Sequence, residues 1–394
     1  MRISARLAAV GLGLTLLLPA VRMDAALAQG GTEAGAASPA AMAEYRRKLE
    51  AYTRAREVFD QQAGAYWDAI TEKRRARFAK RRNGETVQLD DYVLTQPPVY
   101  SGPSRPVDPS GTDQPPKERK PIPVVADFLK SAKEHFDFVP QRPKSEAEFK
   151  RAYAQVAAVS GLTTEQAVRV YGFEVGGNGL HDTQAGLEYS REARAISTAL
   201  GYNQLLNANT TNLLAEQGDL FVKTLRHKAQ RLDGPARAAL ERKTAILQRM
   251  VAFARSVPNS WSEHVKLANT PQGLGLHALN LDIDVGPLLQ THKLLTSVVF
   301  ARTKGHRAPL TAAELEMMNL TGDGNGFDIV SMPQALRERV PTANFFQRGG
   351  YERNPVAIRN NTVAKLLAVT DSRMDKATTL PGAKELAAAF QAVQ

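Results

Sequence analysis

The chain has 394 residues, of which 43% are hydrophobic, with no Cys, seven His and a formal charge of +11 at pH 7. That length and apolar share allow one large core with appendages. The absence of Cys excludes disulfides, a lipid-anchored cysteine and a cysteine nucleophile. In chain order, Arg2 and Arg6 precede an apolar run from Leu7 to Val21 and a small-residue end, Ala26-Leu27-Ala28. This is the layout of a secretory signal peptide over residues 1–28, cleaved after Ala28. The run is too short to read as a membrane span and no later stretch approaches one, so the expected location is periplasmic or secreted. Losing Arg2, Arg6, Arg22 and Asp24 with the leader removes a net +2 from +11 and leaves +9. Anionic wall polymer or membrane headgroups are the expected partners of such a chain, and no nucleic acid is expected.

Residues 29–42, rich in Gly, Ala and Ser, read as a flexible tether. Residues 43–82 read as a basic amphipathic helix, in which Tyr45, Leu49, Tyr52, Phe59, Ala63, Tyr66 and Ile70 form a heptad-like seam interrupted by Arg56. Such a seam either docks on the chain's own domain, which is the commoner use, or pairs two copies as a homodimer. Lys73, Arg74, Arg75, Arg77, Lys80, Arg81 and Arg82 crowd its end. Some of these cations compensate the helix macrodipole, and the excess suits either an anionic wall or membrane surface or a plain solvated face. Residues 83–143 are Pro-rich, yet Tyr92, Val93, Leu94, Val99 and Tyr100 are too apolar for a free linker. The segment is therefore expected to wrap the globular part, with one helix over residues 124–136. From residue 144 onward helical signals are continuous and period-two runs are absent, so the fold class is all-α. Ser145 and Glu148 form a capping box for a helix to about Val159. Further helices are expected near 203–231, 235–256, 259–269, 285–303, 311–318, 333–339, 355–369 and 382–393.

Thr163, with Gln166 at the N3 position, starts another helix, and Ala167, Val168, Val170 and Tyr171 give it an apolar face. The glycines at 176, 177 and 179 stop it. Glu174 therefore sits at the C-terminal end, where the macrodipole disfavours negative charge, between apolar Phe173 and Val175. Desolvation there would raise its pKa further. A general acid working near neutral pH needs that property, because it must still hold its proton when the leaving group requires it. The alternative is an ordinary solvated Glu, since Glu is seldom buried.

Downstream lies Ser197-Thr-Ala-Leu-Gly-Tyr-Asn-Gln204, leading into Leu205 and Leu206. A helix ending in Glu, a Gly/Asn turn and this Gly-x-x-Gln segment together resemble the lytic transglycosylase and goose-type lysozyme group, over about residues 145–355. The resemblance implies a lysozyme-like helical domain over residues 144–394, Glu174 as catalytic acid, Gly201 as turn glycine, and Gln204 and Tyr202 as residues that hold the sugar. The group's third signature, Tyr-Asn-x-Gly, finds a counterpart in Met317-Met-Asn-Leu-Thr-Gly322, with Met318 in place of Tyr and one residue too many. On that match Asn319 would contact an acetamide. Val175 stands where Ser is usual, and Leu180 to Arg194 lengthen the gap before Gly201. The implied activity is cleavage of the β-1,4 bond between N-acetylmuramic acid and N-acetylglucosamine in peptidoglycan glycan strands, by one Glu and with no cofactor. The rival is a non-catalytic wall-binding or scaffold protein on the same shell, which Val175 and the altered third signature favour.

Four other constellations complete the sequence. Asp323-Gly-Asn-Gly-Phe-Asp328 has the middle of a calcium loop, but its first and twelfth positions fall on Thr321 and Met332, so a Gly-rich turn at a cleft rim is expected instead. Asp282 and Asp284, with His277 nearby, lack a dense metal spacing and read as a turn before a helix starting near Val285, so no metal is expected. Asp182, Asp282, Asp284 and Asp323 are candidates for the second carboxylate that hydrolysing glycosidases use. Asn344, Phe345, Phe346 and Tyr351 read equally as a sugar subsite, with rings against apolar sugar faces, or as a core plug beside a Gly turn.

Overall fold

The computed structural model describes residues 37–111, 121–176 and 197–393. The leader, most of the tether, the glycines at 177 and 179, Asp182 and the 180–194 insert lie outside the described residues. The described residues form sixteen α-helices: α1 (Pro39–Arg82), α2 (Val125–Phe136), α3 (Glu146–Ser160), α4 (Thr164–Val175), α5 (Asn207–Ala229), α6 (Gly234–Ala254), α7 (Trp261–Ala268), α8 (Pro271–His277), α9 (Gly286–Thr303), α10 (Ala312–Thr321), α11 (Asp323–Val330), α12 (Gln334–Arg337), α13 (Arg348–Glu352), α14 (Pro355–Arg359), α15 (Val363–Thr378) and α16 (Pro381–Gln391). Strands are absent among the described residues apart from the isolated bridges Leu200↔Leu205 and Pro341↔Thr362, so the protein is all-α. No described helix is long and apolar enough to cross a membrane.

The chain divides into two compact units. The larger holds described residues 121–332 and 367–393, and the smaller 37–111 and 333–366. This partition differs from a boundary at residue 144. The physical reason for the first difference is the apolar face of α2, whose Val125, Phe128, Ala132 and Phe136 are buried in the larger core. Residues 333–366, read as part of the C-terminal domain, instead pack with α1 in the smaller unit.

In the larger unit one core cluster gathers α2, α5, α6 and α8 around Phe128, Phe221, Met250 and Leu276, and a second gathers α3, α4, α10 and α16 around Phe149, Tyr171, Leu315 and Phe390. Burying each such side chain contributes about 1.5–3 kcal/mol. Helix α9 joins the two, with Leu288 and Leu289 in the first cluster and Leu294, Leu295 and Val298 in the second. A helix apolar around most of its circumference is the one a core encloses.

The start of α9 is fixed by Asp282. Its carboxylate accepts from the backbone N–H groups of Gln141 at 2.8 Å, Asp284 at 2.9 Å and Val285 at 3.2 Å, while Lys243 Nζ lies 2.9 Å from it and also pairs with Asp284. Asp282 and Asp284 therefore form the turn before α9 and are engaged there, which removes them as second-carboxylate candidates. Lys243→Met would leave the fully buried Asp282 without its cation. It is expected to lower stability by about 3 kcal/mol, read as a fall in the urea midpoint at unchanged m-value. An unchanged midpoint would contradict this assignment.

Two segments depart from the sequence expectation. Residues 323–330 form helix α11 rather than a Gly-rich turn, because Gly322 at φ 82° takes the reversal and Gly326 lets α11 close on α10, where an added Cβ would lie 2.3 Å from Met318 Cα. Residues 355–369 are not one helix: Thr362, bridged to Pro341, separates α14 from α15.

In the smaller unit the buried positions of α1 are Ala63, Trp67, Ile70, Arg74 and Arg77, continuing the four- and three-residue spacing of the seam into the basic run. Trp67 meets the Tyr351 ring at 5.8 Å, and Tyr52 and Phe59 meet Tyr100 at 6.3 and 5.4 Å. Arg74 donates to Phe346 O at 2.7 Å, Arg77 donates to Asp91 O at 3.0 Å with its guanidinium 4.4 Å from the Tyr92 ring, and Lys80 pairs with Asp91 at 2.8 Å. Much of the basic run thus satisfies buried carbonyls and rings. Arg75 and Arg82 are the exposed arginines that remain for an anionic surface.

The sugar-subsite reading of Asn344, Phe345 and Tyr351 is corrected here. All three are buried; Asn344 Oδ1 accepts from Val93 N at 2.9 Å and its amide donates to Val93 O at 2.8 Å, while Phe345 packs beside Tyr92. They are the core plug of this unit, because the amide and the rings are engaged inside it.

Candidate active site

Helix α4 starts where its sequence says it should. The Thr163 hydroxyl accepts from Gln166 N at 3.1 Å, and Gln166 Oε1 accepts from Thr163 N at 3.1 Å. The rest of the Gln166 amide donates to Leu310 O at 2.7 Å, and Glu165 accepts from Ala312 N at 3.3 Å. These bonds tie the start of α4 to the start of α10. Further along, Asn319 Nδ2 donates to Glu174 Oε1 at 2.9 Å. Joined at both ends, the two helices run side by side in the same direction. Gly176, at φ 74°, then ends α4.

The groups around the Glu174 carboxyl come from two other helices, α10 and α9. Asn319 and Glu316 stand three residues apart on α10, so they share one face; the Asn319 amide that serves Glu174 also reaches Glu316 Oε2, at a long 3.4 Å. The two carboxyls lie close enough that each shifts the titration of the other. Lys293, on α9, contributes positive charge, and one turn on from it Ser297 Oγ donates to Asp323 Oδ1 at 2.6 Å at the start of α11.

Glu316 is buried, while Glu174 as a residue keeps partial exposure although its carboxyl is enclosed. Burial is the largest influence on Glu174 and raises its pKa to about 7, against the opposing pulls of Lys293, Glu316 and Asn319. Burial, followed by the charge of Glu174, pushes Glu316 well above the usual carboxylate range. Burial lowers Lys293, opposed by Asp323, Glu174 and Glu316. Carboxyls in contact cannot both ionise cheaply, so the proton released near neutral pH belongs to the pair and comes chiefly from Glu174. The arrangement can offer a proton near pH 7 and take one back.

Of the other residues singled out by the resemblance, Gly201, Tyr202 and Gln204 build one turn. Leu200 and Leu205 close it with reciprocal backbone bonds of 2.9 and 3.0 Å, and Gly201 sits at φ 82°. Gln204, itself at φ 43°, donates from its amide to Gly201 O at 2.9 Å. Tyr202 is corrected from sugar ligand to packing residue: it is fully buried, its ring is 4.6 Å from Tyr171 of α4 and 5.0 Å from Phe149, and its hydroxyl donates to Glu146 at 2.9 Å. The turn is thereby packed on the helix that carries Glu174.

The residues beside Glu174 that the sequence reading did not single out are Glu316 and Lys293. A signal for Glu316 exists: it is a carboxyl set among Leu315, Met317 and Met318, all buried, in a helix with little solvent face. Lys293 likewise interrupts a largely buried helix. His277 is a neutral core residue bonded to Thr210 and to Thr198 O, with burial holding its pKa at about 4.

Comparison with protein families, curated proteins and solved structures finds no match to this chain.

Proposed function

We propose that the chain is an exported murein lytic enzyme on a lysozyme-like helical shell, cleaving the β-1,4 bond between N-acetylmuramic acid and N-acetylglucosamine with Glu174 as acid and then base. The observation that carries this reading is a helix-end carboxyl held by an amide donor, Asn319, in surroundings whose burial raises its pKa to about 7. Glu174 gives its proton to the glycosidic oxygen as the C1–O bond breaks. The carboxylate left behind is steadied by Asn319 and the positive charge of Lys293, and takes the proton of the muramoyl C6 hydroxyl as that oxygen closes on C1. Glu316 does not fit the part of a second carboxylate across the bond. Glu316 is buried beside Glu174 and shares its Asn319 donor, whereas the second carboxylate of a hydrolase stands across the bond with the sugar between. That proximity supports attack by the substrate's own hydroxyl rather than by an activated water.

The test is digestion of purified sacculi followed by mass spectrometry of the soluble products, with anhydro-muropeptides expected. Since the acid form of Glu174 is the active one, kcat/KM is expected to fall tenfold per unit as pH rises above about 7. A rate that climbs steadily from about pH 7 to about pH 9 would contradict this protonation state. Sacculi left intact across the whole range would replace the enzyme with the wall-binding scaffold.

A further inference from the structure

Resting on the acid–base reading of Glu174, the geometry assigns a second residue to the same chemistry. We propose that Glu316 is a positioning residue: its carboxyl stays protonated through turnover, and its O–H donates to the Glu174 carboxylate each time that group has given up its proton.

Three observations converge on this role. Asn319 Nδ2 contacts both carboxyls, at 2.9 and 3.4 Å, so one amide bridges the two groups and holds them as neighbours. Glu316 is buried in α10, whose neighbouring Leu315, Met317 and Met318 are buried too, whereas Glu174 is the less buried residue of the two and so the one nearer to solvent. The charges around the pair are otherwise matched. Lys293 of α9 faces Asp323 of α11, itself bonded to Ser297. On the far side of α4, Arg169 engages Glu165 together with Asp371 and Asp375 of α15, and Lys150 of α3 engages Glu385 of α16. The pair can therefore cycle between zero and one negative charge without recruiting another titrating group. In the first half of the reaction the Glu174 proton moves to the leaving oxygen. In the second half the C6 hydroxyl proton moves to Glu174. The Glu316 proton is not transferred in either half, and its hydrogen bond shortens when Glu174 is charged.

Two readouts test this. In the resting protein, infrared spectra above pH 7 should retain one protonated-carboxyl band, which Glu316→Gln removes and Glu174→Gln leaves in place. This measurement needs no substrate, so it stands even if sacculi are not digested. In turnover, Glu316→Leu should lower kcat by about 10- to 100-fold with KM little changed, and Glu316→Gln, whose amide can still donate, should restore most of it. The proposal is overturned if the wild-type band is absent above pH 7, if the band survives Glu316→Gln, or if Gln is as damaging as Leu. Should the Leu variant fail to fold, the band and the Gln variant decide the matter.

Discussion

Glu174→Gln is expected to lower glycan cleavage by about 10²- to 10⁴-fold, the usual contribution of a positioned proton donor, while leaving sacculus binding intact. The amide keeps the volume and can still meet the Asn319 side chain, so loss of rate without loss of binding separates an enzyme from a scaffold. The same substitution carries an opposite signature in stability. The folded-state pKa is about 7 against an ordinary 4.5. With the folded value raised, the contribution of this group to stability is fully present below about 4.5 and is lost as pH rises through about 7. Above that, the wild type carries a poorly solvated charge and the variant does not. The cost is of order 2–3 kcal/mol at most, given the partial exposure of the residue. Glu174→Gln should thus gain several degrees in melting temperature relative to wild type between about pH 5 and about pH 8. A variant that loses activity and stability together at pH 8 would point to disrupted packing instead.

Gly201→Val is expected to destabilise the larger unit by about 3–5 kcal/mol, at the upper end for one substitution. Two effects combine. At φ 82° a β-branched residue is strained, and an added Cβ would stand 2.2 Å from Gln290 Nε2. Gln290 cannot withdraw: it is fully buried, its Oε1 accepts from Asn203 N at 2.8 Å, and its Nε2 donates to Asn280 Oδ1 at 2.9 Å and Leu200 O at 3.2 Å. Shifting it would leave buried polar groups unpaired. Gly350→Ala, where nothing lies within 4 Å of the new Cβ, is the control and should change stability by less than about 0.5 kcal/mol. Urea midpoints for the two glycine variants check the difference; equal midpoints would remove Gly201 from its structural role. Because Tyr202 packs on Tyr171 of α4, the Val variant should also lose activity in proportion to its loss of folded protein.

Much of the helical frame was legible because its signals are local. The Ser145 and Thr163 caps, the turn at Asp282 and the stop at Gly176 each depend on residues within one helical turn. The character of Glu174 was legible for the same reason, from a helix end and two apolar neighbours, although burial rather than the helix end is its main cause. Glu316 and Lys293 were not legible because their chemistry arises only when α4, α9 and α10 meet, a long-range event that spacing along one helix does not encode. Tyr202, Phe345 and Tyr351 show the reverse difficulty. An aromatic suits a sugar face and a core equally well, and only burial separates the two. Helix α11 was hidden by its glycines, which read locally as a turn but serve close helix contact at Gly326.

The most direct measurement is a carbon-13 NMR titration of the Glu174 carboxyl in the resting protein, assigned by its absence in Glu174→Gln. A midpoint near pH 7, moving with substitution at Glu316, is the expected result; a midpoint near 4.5, indifferent to Glu316, would contradict the proton inventory on which the proposed chemistry rests.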